Sequence, residues 1–340
     1  MANWQIDHEI KTTNEWSKEM KKSEYELLAN QWDDEAMETD EKVLKSLVLY
    51  EKDPSISAAY ISFNSPSTLN AVPVAALEIV GDYVREAEAD DEVKTIIFRG
   101  IGPCFGTGAD AKELGHYIGY KTPKPGEKPY KPSQHNRMLP DRNIVMGAFT
   151  ASVQNCLKVT ICQVHSYCYG GHMQIALAAD MVIASDDALF THPAFRYLGA
   201  GPQDMWAWVE NLGIKKMKEI MFTMRALGAE EAEKAGLVNK VVAKDDLDQW
   251  VRDYAQAVSM MPLDGIMIGK SLMRLMMEAR GKGVGEIIAW AGHGWATNLK
   301  LEEGEFNFVR ERMTKGLSQT LHDRDMKVAP FFRLGETREG

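Results

Sequence analysis

The sequence predicts an α/β fold in which short buried strands pass through glycine turns into helices. Residues 158–180, KVTICQVHSYCYGGHMQIALAAD, combine a short apolar run, the adjacent glycines Gly170 and Gly171, and a second apolar stretch. The first run has the length of a buried strand, and the second suits a helix packed on all sides. Residues 95–114, TIIFRGIGPCFGTGADAKEL, repeat the order of strand, glycines and helix, with the helix opening near Ala109.

Both glycine turns are candidate sites for binding a negatively charged oxygen. Glycine leaves no side chain where the backbone turns, so the first amides of the following helix can face a ligand, and the helix dipole favours negative charge there. Two donors from two turns can stabilise one developing oxyanion, which is the arrangement of an oxyanion hole. One such turn alone is also what any tight connection between a strand and a helix requires.

The first fifty residues form an N-terminal extension, which carries Trp4, Trp16 and Trp32 among many lysines and glutamates. Helical spacing is present over 16–28 and 40–49. We expect this extension to wrap the core or a neighbouring subunit. A loosely ordered tail is the alternative, but disordered segments are usually poor in aromatic residues.

Composition excludes several classes of protein. A formal charge of -10 argues against binding to nucleic acid or to an anionic membrane. The first residues lack the apolar region of a signal peptide, and no apolar run is long enough to span a bilayer. We therefore expect a cytoplasmic protein that binds neither nucleic acid nor a membrane.

The cysteines and nearby histidines raise the question of a metal site. The sequence has 4 cysteines and no short CxxC pair, which fits reduced thiols rather than a disulfide framework. Cys162, His165, Cys168 and His172 are close in sequence, but a strand followed by a turn would direct them to different faces. We predict buried thiols and no metal.

Ordered blocks over residues 57–332 resemble the enoyl-CoA hydratase/isomerase (crotonase) superfamily. The blocks are ISFNSPSTLNAV, FGTGADAKEL, VHSYCYGGHMQIALAAD, ALFTHPAFRYLGAGPQD and RALGAEEAEKAGLVNKVV. The resemblance implies a crotonase-like ββα spiral core, which we place at 51–250, and a C-terminal helical trimerisation subdomain at 251–340. It further implies a homotrimer or a dimer of trimers, and enolate chemistry on an acyl-CoA thioester, with coenzyme A as part of the substrate and no other cofactor.

The resemblance also implies site residues. By position, the paired oxyanion amides of the family fall on Thr107 and Gly171. Contacts with the substrate or coenzyme A are implied for residues around the two turns and the loop before the first helix of the core: Leu69, Ala71, Gly108, Ala109, Asp110, Ala111, Gly170 and Ala194.

The chain departs from the family pattern where a hydratase carries its two glutamates. Gln174 and Ala194 occupy these positions, and an amide and a methyl group cannot deliver and withdraw a proton. Gln174 can still orient a water molecule. The loop 65–71, SPSTLNA, lacks the family's basic residue for the phosphates of coenzyme A. Three alternatives remain: weaker binding of coenzyme A, a basic residue from elsewhere, or a substrate without coenzyme A.

Asp204 is the predicted replacement for the missing acid/base. It follows GAGPQ at the head of a helix, where some members of the superfamily carry an aspartate with this role. A helix cap is the alternative for an aspartate at this position. His192 and His172 are the other candidates, because imidazole transfers protons near neutral pH, although each also fits a structural histidine.

Other parts of the chain have clear patterns of their own. Residues 113–143 form a long insertion rich in Pro, Gly, Lys and Tyr, which we interpret as a substrate lid, with a plain surface loop as the alternative. Strands are predicted over 57–63, 181–184 and 188–190, and helices over 74–89 and 144–157. Residues 247–311 are predicted to be helical, with an apolar face suited to a trimer interface.

The leading functional hypothesis is C–C bond hydrolysis or ring opening of a bulky or cyclic acyl group, with Asp204 as acid/base. A double-bond isomerase, or an atypical hydratase or lyase, is an alternative, because one base is enough to relocate a proton. A non-catalytic binding module with the same fold is a second alternative, since both glutamates are absent. The small residues of both glycine turns argue against it.

Overall fold

The computed structural model describes residues 38, 40–113, 149–198, 204–296 and 301–331, together with the single positions 133, 135, 138, 139 and 142. The helix predicted over 16–28, almost all of the predicted lid and the last residues of the chain lie outside the described residues. No described helix has both the length and the apolar character needed to cross a membrane.

A six-stranded sheet forms the centre of the fold, in the order β1-β2-β3-β4-β6-β9. β1 pairs antiparallel with β2, and all the other neighbours are parallel. A second, three-stranded sheet has the order β5-β7-β8. The strands are β1 Val48–Asp53, β2 Ala58–Phe63, β3 Thr95–Gly100, β4 Val159–Val164, β5 Tyr167–Tyr169, β6 Met181–Ser185, β7 Leu189–Thr191, β8 Leu227–Gly228 and β9 Lys240–Val242.

Helices cover both faces of the large sheet and extend beyond it. In chain order they are α1 Glu41–Leu47, α2 Val74–Ala89, α3 Thr150–Asn155, α4 Gly171–Ala178, α5 Ala194–Tyr197, α6 Met205–Leu212, α7 Ile214–Thr223, α8 Ala229–Ala235, α9 Leu247–Ser259, α10 Leu263–Ala279, α11 Lys282–Ala296, α12 Phe308–Lys315 and α13 Leu317–Val328. The predicted α/β class is confirmed, and α2 has the predicted bounds.

Alternation along the parallel strands divides the core into two layers. Ile96 and Phe98 of β3 face the large cluster beneath α2 and α4, whereas Ile97 faces a smaller cluster beneath α9. This follows from the two-residue period of a strand. Most of helix α4 is buried, in agreement with its apolar sequence: His172, Met173, Ile175, Ala176 and Leu177 lie in the core.

Two of the predicted elements that differ from the structure lie close to the glycine turns. No helix opens at Ala109: this residue forms a bridge with Val72, and residues 111–113 are a turn. Backbone pairing with the loop before α2 therefore takes precedence over the helix-start signal. The strand predicted over 188–190 is shifted by one residue, to Leu189–Thr191, because it pairs with β5.

The C-terminal helices leave much apolar surface uncovered in the single chain. Ile268, Leu272, Leu275 and Met276 of α10 are exposed, whereas Ile266 is buried. The trimer interface predicted on this face stays a prediction. All the cysteines are buried and free, and the described residues contain no His, Cys, Asp and Glu group that could hold a metal ion.

Candidate active site

The two glycine turns touch each other. A Cβ atom added to Gly108 would lie 3.0 Å from the Cα of Gly170 and 3.0 Å from the amide nitrogen of Gly171. Gly108 has φ +100° and Gly170 has φ +60°, in the left-handed region that L side chains rarely adopt. Only glycine at both positions allows this contact, which brings the backbone after β3 against the start of α4.

Strand β5 and the loop before α2 hold the first turn in place. The Gly106 amide donates to the Tyr167 carbonyl at 2.8 Å, and the Tyr169 amide donates to the Gly106 carbonyl at 2.9 Å. On the other side, the Thr107 amide donates to the Leu69 carbonyl at 3.1 Å, and the Thr107 hydroxyl reaches the same oxygen at 3.2 Å. Both chemical groups of Thr107 are therefore occupied within the protein.

The geometry argues against the Thr107 amide as the predicted oxyanion donor, because this amide donates to the Leu69 carbonyl. Two amides further on, the geometry is different. The Val72 amide donates to the Gly108 carbonyl at 3.1 Å, and the Asp110 amide donates to the Val72 carbonyl at 2.8 Å. In a parallel bridge the residue between these bonds directs its own N–H away from the partner. That residue is Ala109.

Ala109 and Gly171 have amides with no acceptor among the residues that the structure describes. Gly171 is the first residue of α4, so its N–H has no partner inside the helix and lies at the positive end of the helix dipole. The contact between Gly108 and Gly171 places the two amides at one junction. Such a pair of free donors is what an anionic oxygen requires.

The His172 side chain links α4 to the first glycine turn. The Gly108 amide donates to its Nδ1 at 3.0 Å, and its ring lies 4.1 Å from the Phe63 ring and 5.4 Å from the Phe105 ring. Complete burial lowers the pKa of His172 to about 3, so the imidazole stays neutral at physiological pH. A buried neutral ring whose Nδ1 already accepts a hydrogen bond argues against the acid/base role predicted for His172.

Asp204 is both a helix cap and a partly buried carboxylate. Its Oδ1 accepts from the Ala207 amide at 3.0 Å, which caps α6, and its Oδ2 accepts from the Gln154 side chain at 3.2 Å. Burial raises the pKa of Asp204, and this effect exceeds the opposing effect of the two hydrogen bonds. The cap that the sequence left open is confirmed, and the carboxylate also has the raised pKa that suits an acid/base.

Helix α3 connects Asp204 with the glycine turn. Phe149, directly before α3, would contact a Cβ on Gly171 at 3.6 Å, and Gln154 near the end of α3 binds Asp204. Gln154 follows Phe149 by five positions, which corresponds to a rise of about 7.5 Å along a helix. The Asp204 carboxylate therefore lies at one end of α3, and Gly171, with its free amide, lies beside the other end.

A third turn, between β7 and α5, lies beside Gly170. The Gly170 amide donates to the Thr191 carbonyl at 3.3 Å, and a Cβ on Gly170 would lie 3.8 Å from Pro193. The Ala194 amide donates to His192 Nδ1 at 3.2 Å, and the Ala194 side chain is buried. The predicted residues His192 and Ala194 are thus next to the two glycine turns, as is Gln174, whose amide donates to the Gly170 carbonyl at 3.1 Å.

The turn after Ala109 contains a second carboxyl with a perturbed pKa. Burial raises the pKa of Asp110 to about 6, although its Oδ1 accepts from the Lys112 amide at 2.9 Å. The buried Glu113 accepts from the Val74 amide at 2.7 Å and so joins this turn to the start of α2. Ala111 offers its carbonyl to Arg312 of α12 at 2.8 Å.

Several supporting residues escaped the sequence-based prediction. Asn70, in the left-handed region with φ 55°, donates from its side chain to the Cys104 carbonyl at 2.8 Å and so fixes the loop that carries Leu69 and Ala71. Two more involve the C-terminal helices: Arg312 belongs to α12, and Asp325 of α13 forms a buried ion pair with Arg196 at 3.0 Å. An asparagine in a turn is a local signal that a sequence can show. The partners of Arg312 and Asp325 cannot be found in this way, because they are about 200 and 129 positions away in the chain.

Comparison with known proteins agrees with this geometry. The family model described as enoyl-CoA hydratase/isomerase matches residues 141–287. A solved structure named as a "probable enoyl-CoA hydratase" from Mycobacterium smegmatis is 30% identical, covers 75% of this chain and 97% of its own, and has a TM-score of 0.65. The chain belongs to the enoyl-CoA hydratase/isomerase family. It is an enzyme of the crotonase superfamily.

Two further similarities bear on the fold and on the reaction. An enoyl-CoA hydratase structure from Mycobacterium smegmatis, covering 90% of this chain and 100% of its own, has a TM-score of 0.72 at 23% identity and supports the crotonase fold. A curated relative from Rhodococcus jostii RHA1 is 27% identical over 200 residues, 56% of this chain and 67% of its own. That protein is named (7aS)-7a-methyl-1,5-dioxo-2,3,5,6,7,7a-hexahydro-1H-indene-carboxyl-CoA hydrolase.

Proposed function

We propose that this crotonase-superfamily enzyme hydrolyses a C–C bond in a bulky or cyclic β-dicarbonyl acyl-CoA. The observation that carries the proposal is the pair of free amides of Ala109 and Gly171 at the junction of the two glycine turns. These amides bind the thioester oxygen, which becomes negatively charged when the thioester turns into an enolate. Asp204 is the acid/base in this proposal.

The reaction consumes one water molecule and needs no oxidant. Water adds to the ketone carbon while Asp204 accepts its proton. The bond between the ketone carbon and Cα then breaks, and its electron pair passes into the thioester as an enolate held by the two amides. Asp204 returns the proton to Cα, and the former ketone becomes a carboxyl group. A raised pKa suits a carboxyl that must both accept and donate a proton near neutral pH.

Two observations favour this reaction over hydration of a double bond. Ala194 and Gln174 occupy the positions of both hydratase glutamates, so the pair of carboxyls that places and protonates water in a hydratase is absent. The relative named as an indene-carboxyl-CoA hydrolase supports hydrolytic chemistry on a cyclic acyl group. The methyl group of Ala194 also leaves more room for such a ring than a glutamate does.

A mass-spectrometric assay tests the proposal. The purified protein is incubated with a panel of cyclic β-keto carboxyl-CoA thioesters, and the expected product is heavier than the substrate by one water and carries a new carboxyl group. Crotonyl-CoA serves as the control and should remain unhydrated. Hydration of crotonyl-CoA at the rate of an ordinary hydratase, without ring opening of any panel member, would overturn the proposal.

A further inference from the structure

Helix α11 packs closely against the start of α6 at Gly285. A Cβ on Gly285 of α11 would lie 2.3 Å from the Cβ of Trp206 and 2.9 Å from Oδ1 of Asp204. A side chain at Gly285 would therefore force the two helices apart. Trp206 also donates from its indole to the Arg280 carbonyl at 3.1 Å, so the head of α6 is fixed against the start of α11.

A buried ion pair flanks this contact on α11. Lys282 is fully buried, its Nζ is bonded to Glu286, and it lies 3.9 Å from Oε1 of Glu278. Residues three and four apart share one face of a helix, so Lys282, Gly285 and Glu286 face the same way. Because Gly285 meets Asp204, the ammonium group and the carboxylate lie to either side of that residue.

The charges around Asp204 oppose each other. Lys282 favours the ionised form of Asp204 and Glu286 disfavours it. From α3 the facing group is the neutral amide of Gln154, and Glu278, at the end of α10, contacts Lys282. Helices α4 and α8 meet α6 at Asn211, near the other end of that helix. Helix α7 follows α6 at that same end, after Gly213, and its Lys216 and Glu219 pair with each other. Among the described groups, Lys282 and Glu286 are thus the charged residues that shift the pKa of Asp204.

We propose that Lys282 and Glu286 are positioning residues that set the proton affinity of Asp204 from the neighbouring helix. This inference rests on the proposed function for its catalytic consequence. The positive charge of Lys282 favours the ionised carboxylate of Asp204, which is the form that accepts a proton. The negative charge of Glu286 opposes this effect and so keeps the carboxylate a sufficiently strong base. Lys282 is fully buried and Glu286 and Asp204 are partly buried, which reduces screening by water and strengthens both effects.

Two substitutions test the inference because they should act in opposite directions. Lys282→Met retains the length of the buried side chain and removes the positive charge, and it should raise the midpoint of the Asp204 titration by about one pH unit. Glu286→Gln should lower it by a similar amount, and the double variant should return it close to the original value. The midpoint is measured by infrared titration of the protonated carboxyl band that disappears in Asp204→Asn.

Arg280 and Glu210 offer a matched control. They form an ion pair at 2.5 Å between the same two parts of the chain, but the Arg280 side chain is largely exposed. Arg280→Met should leave the Asp204 midpoint unchanged. A general loosening of the helix contact would instead shift the midpoint in the control as well, and this result would overturn the inference.

The infrared titration needs no substrate, so it separates this inference from the proposed function. If both α11 variants leave the midpoint unchanged or shift it in the same direction, the inference fails, whatever the activity. If Lys282→Met does not fold, as circular dichroism would show, the downward shift in Glu286→Gln still decides the question. If Asp204→Asn retains full ring-opening activity while the opposite shifts occur, only the catalytic role of Asp204 fails. With an active substrate, the acidic limb of the kcat profile should move with the infrared midpoint.

Discussion

Removal of one backbone donor gives the sharpest test of the active site. Ala109→Pro deletes the amide hydrogen of Ala109, which has no acceptor among the described residues, so no internal hydrogen bond is lost. Loss of one donor of an oxyanion hole costs about 3 to 4 kcal/mol in the transition state. We therefore expect kcat to fall by a factor of about 100 to 1,000, with a smaller change in KM, because the charge develops only during the reaction.

Thr107 provides the matched comparison, two residues away on the same turn. Thr107→Ala removes only the hydroxyl contact with the Leu69 carbonyl, and its expected cost is about 1 kcal/mol of stability or less, with kcat nearly unchanged. Thr107→Pro removes the hydrogen bond from the amide to the same carbonyl, so it should lower the melting temperature.

The assay is steady-state kinetics on the ring-opening substrate, with thermal melting recorded for each variant. Replacing the Ala109 amide by an ester through incorporation of an α-hydroxy acid deletes the same hydrogen without the ring of proline, and it should give a similar loss. The assignment is refuted if the ester and Ala109→Pro retain full kcat while a stably folded Thr107→Pro loses it. The oxyanion donor would then be Thr107, as its position in the sequence suggests.

Three further changes have defined outcomes. Asp204→Asn keeps the cap but cannot accept a proton, so kcat should fall by about 100-fold or more while the melting temperature stays nearly the same, as kinetics and calorimetry would show. Gly108→Ala adds a methyl group 3.0 Å from the Gly171 nitrogen at φ +100°, so both stability and kcat should decrease in denaturation and rate measurements. His172 has its folded pKa lowered to about 3 from 6.5, so the unfolded chain binds a proton that the folded protein does not. The contribution of His172 to the free energy of unfolding should be complete above about pH 6.5, and it should be lost by about 1.4 kcal/mol per pH unit as the pH falls towards 3. In urea denaturation, His172→Gln should lack this pH-dependent component.

The sequence predicts the parts of the site that depend on local backbone conformation. Gly108 and Gly170 can be found because no other residue fits a left-handed turn packed against another backbone. The correct amide of the first turn cannot be found in this way. Which N–H points outward is decided by the pairing of Val72 with Ala109, and that register depends on the folded position of a distant loop.

The role of a histidine or a lysine depends even more on tertiary structure. His172 and His192 look alike in sequence, but Phe63 and Phe105 pack against the His172 ring, and its burial lowers its pKa. Lys282 reads as a surface lysine in a glycine-rich segment, and only the packing of α11 on α6 buries it beside Asp204. Fold class follows from local patterns, whereas electrostatic function follows from contacts between remote segments.

The C-terminal helices have a consequence for the order in which the enzyme becomes competent during its synthesis. Arg312 of α12 holds the carbonyl of Ala111, two residues after a free amide, and Asp325 of α13 holds Arg196 behind the His192 turn. When the glycine turns of a nascent chain have left the ribosome, the contacts from Arg312 and Asp325 have therefore not yet formed. We therefore expect a chain that ends before α12 to lack the contacts that hold the turns of the proposed active site.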